Sequence, residues 1–236
     1  MSPVLQVENL EAFYGRAQVL FGLSFAVARG EVVALIGRNG AGKSTTLKAI
    51  MGMLAGTRGR VHFAGQEVTG WPSHRIARLG LGYVPEERRI FPELTVLENL
   101  EVGRQPPRDG APQWTPQRLF ELFPNLGEMR ERAGGRMSGG EQQMLTIART
   151  LMGNPQAILL DEPSEGLAPV IVEQMGRTIA ALKGEGLSVL LSEQNLQFAG
   201  ALADRACVIE SGQLRFEGSM AALRADRAVR EAYLGL

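Results

Sequence analysis

A short apolar run that leads directly into a glycine-rich loop constrains the fold more than any other part of this chain. Residues 32–36, Val-Val-Ala-Leu-Ile, form a continuous apolar run, the pattern of a strand buried on both faces of a parallel sheet. The loop at 37–42 follows it, and residues 44–53 have the pattern of a helix. A strand, a glycine loop and a helix in this order predict an α/β fold with a phosphate cradle at the start of the helix.

The loop has the spacing Gly37-x-x-x-x-Gly42-Lys43-Ser44 of a phosphate-binding P-loop. Backbone amides freed by glycine surround the phosphates, Lys43 adds a positive charge and Ser44 offers a hydroxyl to Mg²⁺. A plain glycine turn with an exposed lysine does not explain the flanking strand and helix, and the glycine spacing excludes a dinucleotide fingerprint. The predicted phosphate-binding residues are Gly37, Arg38, Asn39, Gly40, Ala41, Gly42, Lys43, Ser44 and Thr45.

Strand and helix patterns alternate along much of the remaining chain. Residues 4–14 and 20–27 resemble strands, and two more buried-strand runs lie at 157–160 and 188–191. Between about 95 and 152 the sequence has helical patterns, interrupted by the proline-rich segment 106–112. We therefore predict one domain over 1–236, with an α/β core at 1–94 and 153–236 and a helical subdomain at 95–152.

Composition narrows the possible partners and the compartment. The 25 Lys and Arg balance the 25 Asp and Glu, so the chain lacks the basic field of a non-specific nucleic-acid binder. The single Cys207 is predicted to be a small buried residue. The N-terminus lacks a signal-peptide pattern, and no apolar run nears the roughly 20 residues that span a bilayer. We expect a cytoplasmic protein without direct membrane insertion or nucleic-acid partners.

The buried run at 157–160 ends in two carboxylates, Asp161 and Glu162. At the tip of a strand beside the P-loop, Asp161 is placed to hold Mg²⁺ directly or through water. Glu162 points elsewhere and is predicted to align and polarise the attacking water. Acidic residues are common at strand ends, so the prediction depends on the P-loop as well.

A second anion cradle appears at Ser138-Gly139-Gly140-Glu141, where serine and two glycines open a helix. The alternative is an ordinary helix cap at Ser138. The motif lies 161 − 138 = 23 residues before Asp161. Two cradles in one chain indicate that the second serves a nucleotide held mainly by another molecule.

The ordered set of P-loop, SGG turn and apolar strand ending in Asp-Glu resembles the ATP-binding cassette family over nearly the whole chain. The resemblance implies a P-loop ATPase core with a mostly parallel sheet, an N-terminal antiparallel β-subdomain and an inserted helical subdomain. It implies that Tyr14 stacks on adenine and that the 138–141 turn completes a nucleotide site in trans. ATP and Mg²⁺ are the implied cofactors.

Three positions depart from the family pattern. Glu86 replaces the usual Q-loop glutamine, and Gln194 replaces the switch histidine. At the D-loop, residues 164–167 have Glu-Gly-Leu after the serine, where Ala-Leu-Asp is more common. Glu86 either binds Mg²⁺ through water or turns away. Gln194 can donate a hydrogen bond to the γ-phosphate but does not titrate near neutral pH. Glu162, Gln194 and Lys43 are thus the predicted catalytic residues, and ATP hydrolysis is expected to vary little between about pH 6 and 8.

The segment 84–96, the SGGEQQ signature, Ser192-Glu193-Gln194-Asn195 and the ending VREAYLG are similar to the LivF-type ATPase subunits of branched-chain amino acid importers. That resemblance implies a second ATPase subunit, two membrane permease subunits and, indirectly, a periplasmic solute-binding protein, at the inner face of the cell membrane. Urea and short-chain amide importers are close alternatives, as is a nucleotide-gated assembly module with little hydrolysis. Residues 88–92 are the predicted groove for a permease helix, unless they form an ordinary amphipathic loop.

Overall fold

Ten strands and ten α-helices are found in the computed structural model, which describes residues 2–235. The strands are β1 (Leu5–Tyr14), β2 (Ala17–Val27), β3 (Val32–Ile36), β4 (Gly56–Phe63), β5 (Gln66–Glu67), β6 (Leu81–Val84), β7 (Ala157–Asp161), β8 (Ser188–Glu193), β9 (Arg205–Glu210) and β10 (Gln213–Ser219). The helices are α1 (Lys43–Ile50), α2 (Ser73–Leu79), α3 (Val96–Gly103), α4 (Pro116–Leu122), α5 (Pro124–Glu128), α6 (Gly139–Leu151), α7 (Pro169–Gly184), α8 (Leu196–Leu202), α9 (Met220–Ala225) and α10 (Arg227–Val229).

The larger sheet has six strands in the order β10-β9-β3-β8-β7-β6. All its neighbours pair in parallel except β10, which is antiparallel to β9. Strands β3, β7 and β8 are buried along their whole length, as expected for central strands covered on both faces. The carboxyl ends of these three strands therefore meet at one edge of the sheet, where their loops can form a site.

The smaller sheet is antiparallel, with the order β2-β1-β4-β5. Its apolar residues, such as Leu10, Leu23 and Phe63, pack in one core with α1 and with one face of β3. Residues on the other face of β3, including Ala34 and Ile36, belong to a second core with α6 and α7. The predicted fold class, an α/β core with an antiparallel β-subdomain and helices inserted between strands, is confirmed.

The segment between β6 and β7 carries the inserted helices. Helices α3 to α6 lie there, and one isolated bridge joins Thr95 to Ala133. Apolar side chains of α4, α5 and α6 pack in the same core as the sheet, among them Phe120, Leu126 and Ile147. The helical character agrees with the sequence pattern, while the domain bounds remain a prediction.

Two smaller expectations can be compared with the structure. Helix α1 ends at Ile50, before the expected end at residue 53, because Gly52 adopts a φ of 63°, which ends a helix. Cys207 is buried in β9, and burial raises the pKa of its thiol to about 12. Within residues 2–235, no helix has the length and apolar character that crossing a membrane requires.

Candidate nucleotide-binding site

The P-loop connects the end of β3 to the start of α1. Gly40 and Gly42 have φ values of 80° and 109°, in the left-handed region that favours glycine. A Cβ at Gly37 would lie 2.4 Å from the carbonyl oxygen of Ile209. The loop therefore needs glycine for its path, and that path wraps backbone amides around the N-terminus of α1, as an anion cradle requires.

Lys43 is the first residue of α1, and its ammonium group turns back into the loop. The side chain is only 3% exposed. Its Nζ donates to the carbonyl oxygens of Gly37 at 2.8 Å and Arg38 at 3.0 Å. It also lies 3.0 Å from Glu162 Oε1. The positive charge is thus fixed at the centre of the cradle and faces the carboxylate predicted to act as the base.

Asp161 and Ser44 meet beside the cradle. Ser44 Oγ donates to Asp161 Oδ1 at 2.9 Å, and Tyr83 Oη donates to Asp161 Oδ2 at 3.2 Å. Burial raises the pKa of Asp161, and the hydroxyl hydrogen bonds, led by that of Ser44, oppose the rise. A buried carboxylate and a hydroxyl are hard oxygen ligands of the type that Mg²⁺ prefers. The residues present therefore fit a magnesium ion, which Asp161 and Ser44 would hold beside the cradle.

Glu162 leaves the line of β7 immediately after Asp161. Its φ of 45° is uncommon for a residue with a side chain, and its N–H donates to the Ser192 carbonyl at 3.0 Å. The side chain is 6% exposed. This backbone turn separates the two carboxylates, so that Asp161 faces Ser44 while Glu162 faces Lys43.

A cavity of about 390 Å³ opens over the P-loop, within the size range of small-ligand pockets. Its lining combines predicted residues from separate parts of the chain with two that were not predicted; it includes Val19, Asn39, Gly40, Gly42, Lys43, Ser44, Thr45, Glu86, Glu162 and Glu165. The structure thus brings the P-loop, Glu86 and Glu162 together. Both interpretations of Glu86, that it binds Mg²⁺ through water and that it turns away from the metal, remain predictions.

Tyr14 and Gln194 lie outside this lining. Tyr14 ends β1 and is 49% exposed. Gln194 is exposed, directly after β8. Their predicted contacts with adenine and with the γ-phosphate remain predictions.

The turn at Ser138 begins α6 with a capping box. Ser138 Oγ accepts from the Glu141 N–H at 3.4 Å, and Glu141 Oε2 accepts from the Ser138 N–H at 2.7 Å. A Cβ at Gly139 would meet the Arg88 guanidinium, and one at Gly140 would meet Ile171. The ordinary role of Ser138 as a helix cap is therefore present, and the turn lies outside the cavity over its own P-loop. That the turn completes the nucleotide site of a second chain remains a prediction.

Three titratable residues near the site were not predicted from the sequence. Glu193 is 1% exposed, and its carboxylate accepts from the N–H groups of Ser164 and Asn195, both at 3.2 Å. Tyr83 reaches Asp161, and Glu165 lies at the exposed rim of the cavity. Polar residues next to strand ends are the signal that could have identified Tyr83 and Glu193, because parallel strands end at one sheet edge.

Glu165 introduces a titration that the sequence analysis did not anticipate. The adjacent Glu162 carboxylate, burial and the charge of Glu86 raise the pKa of Glu165 to about 7, and Lys43 opposes the rise. ATP hydrolysis is predicted to vary little between about pH 6 and 8 because Gln194 does not titrate there. A carboxyl group beside Glu162 changes charge within that interval.

We expect Glu165→Gln to stabilise the nucleotide-free chain at about pH 8 and to have little effect at about pH 5. The folded-state pKa of Glu165 is above its ordinary value of 4.5. The folded protein therefore holds a proton that the unfolded chain releases, and stability falls as pH rises between these values. At about pH 8, the melting temperature of Glu165→Gln should be higher than that of the original chain by on the order of 1–2 °C, a small shift because solvent screens this rim position.

Glu173→Gln is a suitable control, because the Glu173 side chain on α7 is 70% exposed and its ion pair with Arg177, at 3.1 Å, lies on the surface, where such pairs contribute little. It should shift the melting temperature equally little at both pH values. Equal shifts for Glu165→Gln at both pH values would contradict the carboxyl pairing.

Comparison with known proteins adds to this geometry. A sequence model of the ABC transporter family matches residues 20–165. The high-affinity branched-chain amino acid transport ATP-binding protein BraG of Pseudomonas aeruginosa is 45% identical over 232 residues, covering 98% of this chain and 100% of BraG. The lipopolysaccharide export system ATP-binding protein LptB of Haemophilus influenzae is 35% identical over 234 residues, covering 98% and 97%.

A solved nucleotide-free ATP-binding cassette from an ABC transporter superposes with a TM-score of 0.82 at 28% identity, over 98% of both chains. Fold and sequence agree with these proteins over almost the full length of the chain. The chain therefore belongs to the ABC transporter family, as an ATP-binding subunit whose hydrolysis of ATP is coupled to transport.

Proposed function

We propose that this chain powers the uptake of branched-chain amino acids at the inner face of the cell membrane. The observation that carries the proposal is the 45% identity to BraG over the whole of that protein. LptB, an export-system protein, is 35% identical over a similar span. The LivF-like segment 84–96 and the variant residues Glu86 and Gln194 point to the same solute class.

ABC ATPase subunits dimerise and work with permease components. In this chain, the P-loop would hold the ATP phosphates, with Lys43 as their charge partner. Ser44 and Asp161 would hold Mg²⁺, which neutralises developing charge on the phosphates. Tyr14 would stack on adenine, and Gln194 would donate to the γ-phosphate.

Glu162 would take the proton of the attacking water. Its carboxylate lies 3.0 Å from Lys43 Nζ, so it is fixed near the position that the γ-phosphate would occupy. The Ser138-Gly139-Gly140-Glu141 turn, outside its own cavity, would complete the site of a partner ATPase subunit. Two subunits would then close on ATP, because the closed state makes extra contacts to the γ-phosphate.

A surface groove is the proposed contact with the permease. This docking groove, of about 480 Å³, is lined by residues that include Met51, Met53, Tyr83, Phe91, Val102 and Arg149. Phe91 and Val102 are 45% and 53% exposed, and the Arg149 guanidinium lies over the Phe91 ring at 4.9 Å. We infer that a cytoplasmic helix of the permease occupies it, since an apolar groove of this kind suits an amphipathic helix. Of the predicted segment 88–92, Phe91 belongs to the lining.

Transport by the reconstituted complex tests the proposal. The chain should be purified from its native membrane with its permease subunits and solute-binding protein, and placed in ATP-loaded vesicles. We expect ATP-dependent uptake of labelled leucine, isoleucine and valine well above that of urea and acetamide. Uptake of urea without leucine would favour the amide-importer alternative, and nucleotide binding without phosphate release would favour a nucleotide-gated assembly module.

A further inference from the structure

Tyr83 contacts two functional regions at once. Its side chain lines the docking groove, and its hydroxyl donates to Asp161 Oδ2 at 3.2 Å. It lies on β6, which pairs in parallel with β7 and places Tyr83 opposite Leu159. The hydroxyl therefore reaches along β7 to the strand end where Asp161 lies. One side chain spans the distance between the groove and the metal-holding carboxylate.

Both oxygens of Asp161 are held by hydroxyl groups. Ser44 Oγ donates to Oδ1 at 2.9 Å, and Tyr83 donates to Oδ2. Two donors on opposite oxygens fix the plane of a carboxylate, and partners of this kind orient metal ligands.

The Tyr83 hydrogen bond can respond to a change in the groove. At 3.2 Å it is longer than the ~2.7–2.8 Å that is usual between two oxygens. The ring is only partly buried, and an aromatic ring moves as a rigid unit. A helix pressed against the ring would move the hydroxyl with it and change the distance between Tyr83 Oη and Asp161 Oδ2.

We propose that Tyr83 is a positioning residue that couples the docking groove to Asp161. A partner helix in the groove fixes the Tyr83 ring, the ring fixes the hydroxyl, and the hydroxyl orients the carboxylate that would hold Mg²⁺. The identity of the occupant depends on the proposed function. The contact between Tyr83 and Asp161 does not, because it lies within this chain.

Tyr83→Phe tests the proposal, since it keeps the ring in the groove and removes only the hydroxyl. Mn²⁺ should replace Mg²⁺, and its affinity for the ATP-loaded full chain should be measured by electron paramagnetic resonance. We expect roughly tenfold weaker Mn²⁺ binding, as for other residues that orient metal ligands. In the reconstituted complex, we expect the stimulation of ATP hydrolysis by the permease to fall by a similar factor.

Phe91→Ala is the matched control, because Phe91 lines the same groove and the hydrogen bonds to Asp161 come from other residues. It should weaken permease binding and leave Mn²⁺ affinity unchanged. Circular dichroism of both variants checks that they fold. Unchanged Mn²⁺ affinity in Tyr83→Phe would overturn the proposal, and so would full permease stimulation. If the unmodified complex failed to take up leucine while Tyr83→Phe still weakened Mn²⁺ binding, the solute assignment would be wrong and the positioning role would stand.

Discussion

Glu162→Gln should slow ATP hydrolysis by roughly 100- to 1,000-fold while ATP binds with nearly its original affinity. Glutamine has the size of glutamate, and its amide oxygen can still accept from Lys43, which lies 3.0 Å from Glu162 Oε1. It cannot take a proton from water at neutral pH. Phosphate release measures hydrolysis, and a fluorescent ATP analogue measures binding.

The same variant should accumulate as ATP-bound pairs, because closure precedes the blocked step. Light scattering after size-exclusion chromatography would detect them. Ser138→Arg serves as control, since it keeps the P-loop and places a bulky side chain where the SGG turn would meet a partner's phosphates. We expect Ser138→Arg to bind ATP without pairing. A hydrolysis rate within about threefold of the original for Glu162→Gln would assign the base to another residue.

The parts of the fold that the sequence predicted are those specified by local pattern. The apolar run at 32–36 is a fully buried strand, and the glycine spacing after it produces the expected cradle because Gly40 and Gly42 need left-handed backbone. Asp161 and Ser44, 117 positions apart, could also be placed together. Parallel strands β3 and β7 end at the same sheet edge, so the loops that follow them are neighbours.

The sequence pattern did not predict the side-chain contacts between loops, because these form only when the chain is folded. Glu165 is an ordinary glutamate in the sequence, and only the folded loop brings it against Glu162 and shifts its pKa. Glu193 likewise accepts from Asn195 in its own loop and from Ser164 in a separate one. The φ of 45° at Glu162, which turns its carboxylate toward Lys43, follows from tertiary structure and has no sequence signal.

Lys43→Met should weaken ATP binding by roughly 10- to 100-fold, because hydrogen bonds to charged groups contribute about 1.5–3 kcal/mol. Its effect on the nucleotide-free chain is equally informative. Lys43 and Glu162 are 3% and 6% exposed and form a buried ion pair. Removing one partner of such a pair leaves an uncompensated charge in the interior and costs about 3–5 kcal/mol. Urea unfolding of Lys43→Met should show a free energy of unfolding that is lower by about this amount.

The double variant Lys43→Met with Glu162→Gln separates the ion pair from general damage to the P-loop. With both charges removed, no uncompensated charge stays in the interior, so most of the lost stability should return although ATP binding stays weak. Glu162→Gln alone should cost less than Lys43→Met, because Lys43 keeps its bonds to the Gly37 and Arg38 carbonyls. A double-mutant cycle gives the coupling energy directly. If the double variant were as unstable as Lys43→Met, the loss of stability would come from the Gly37 and Arg38 carbonyls that no longer have a donor. The local backbone, and not the ion pair, would then fix the position of Glu162.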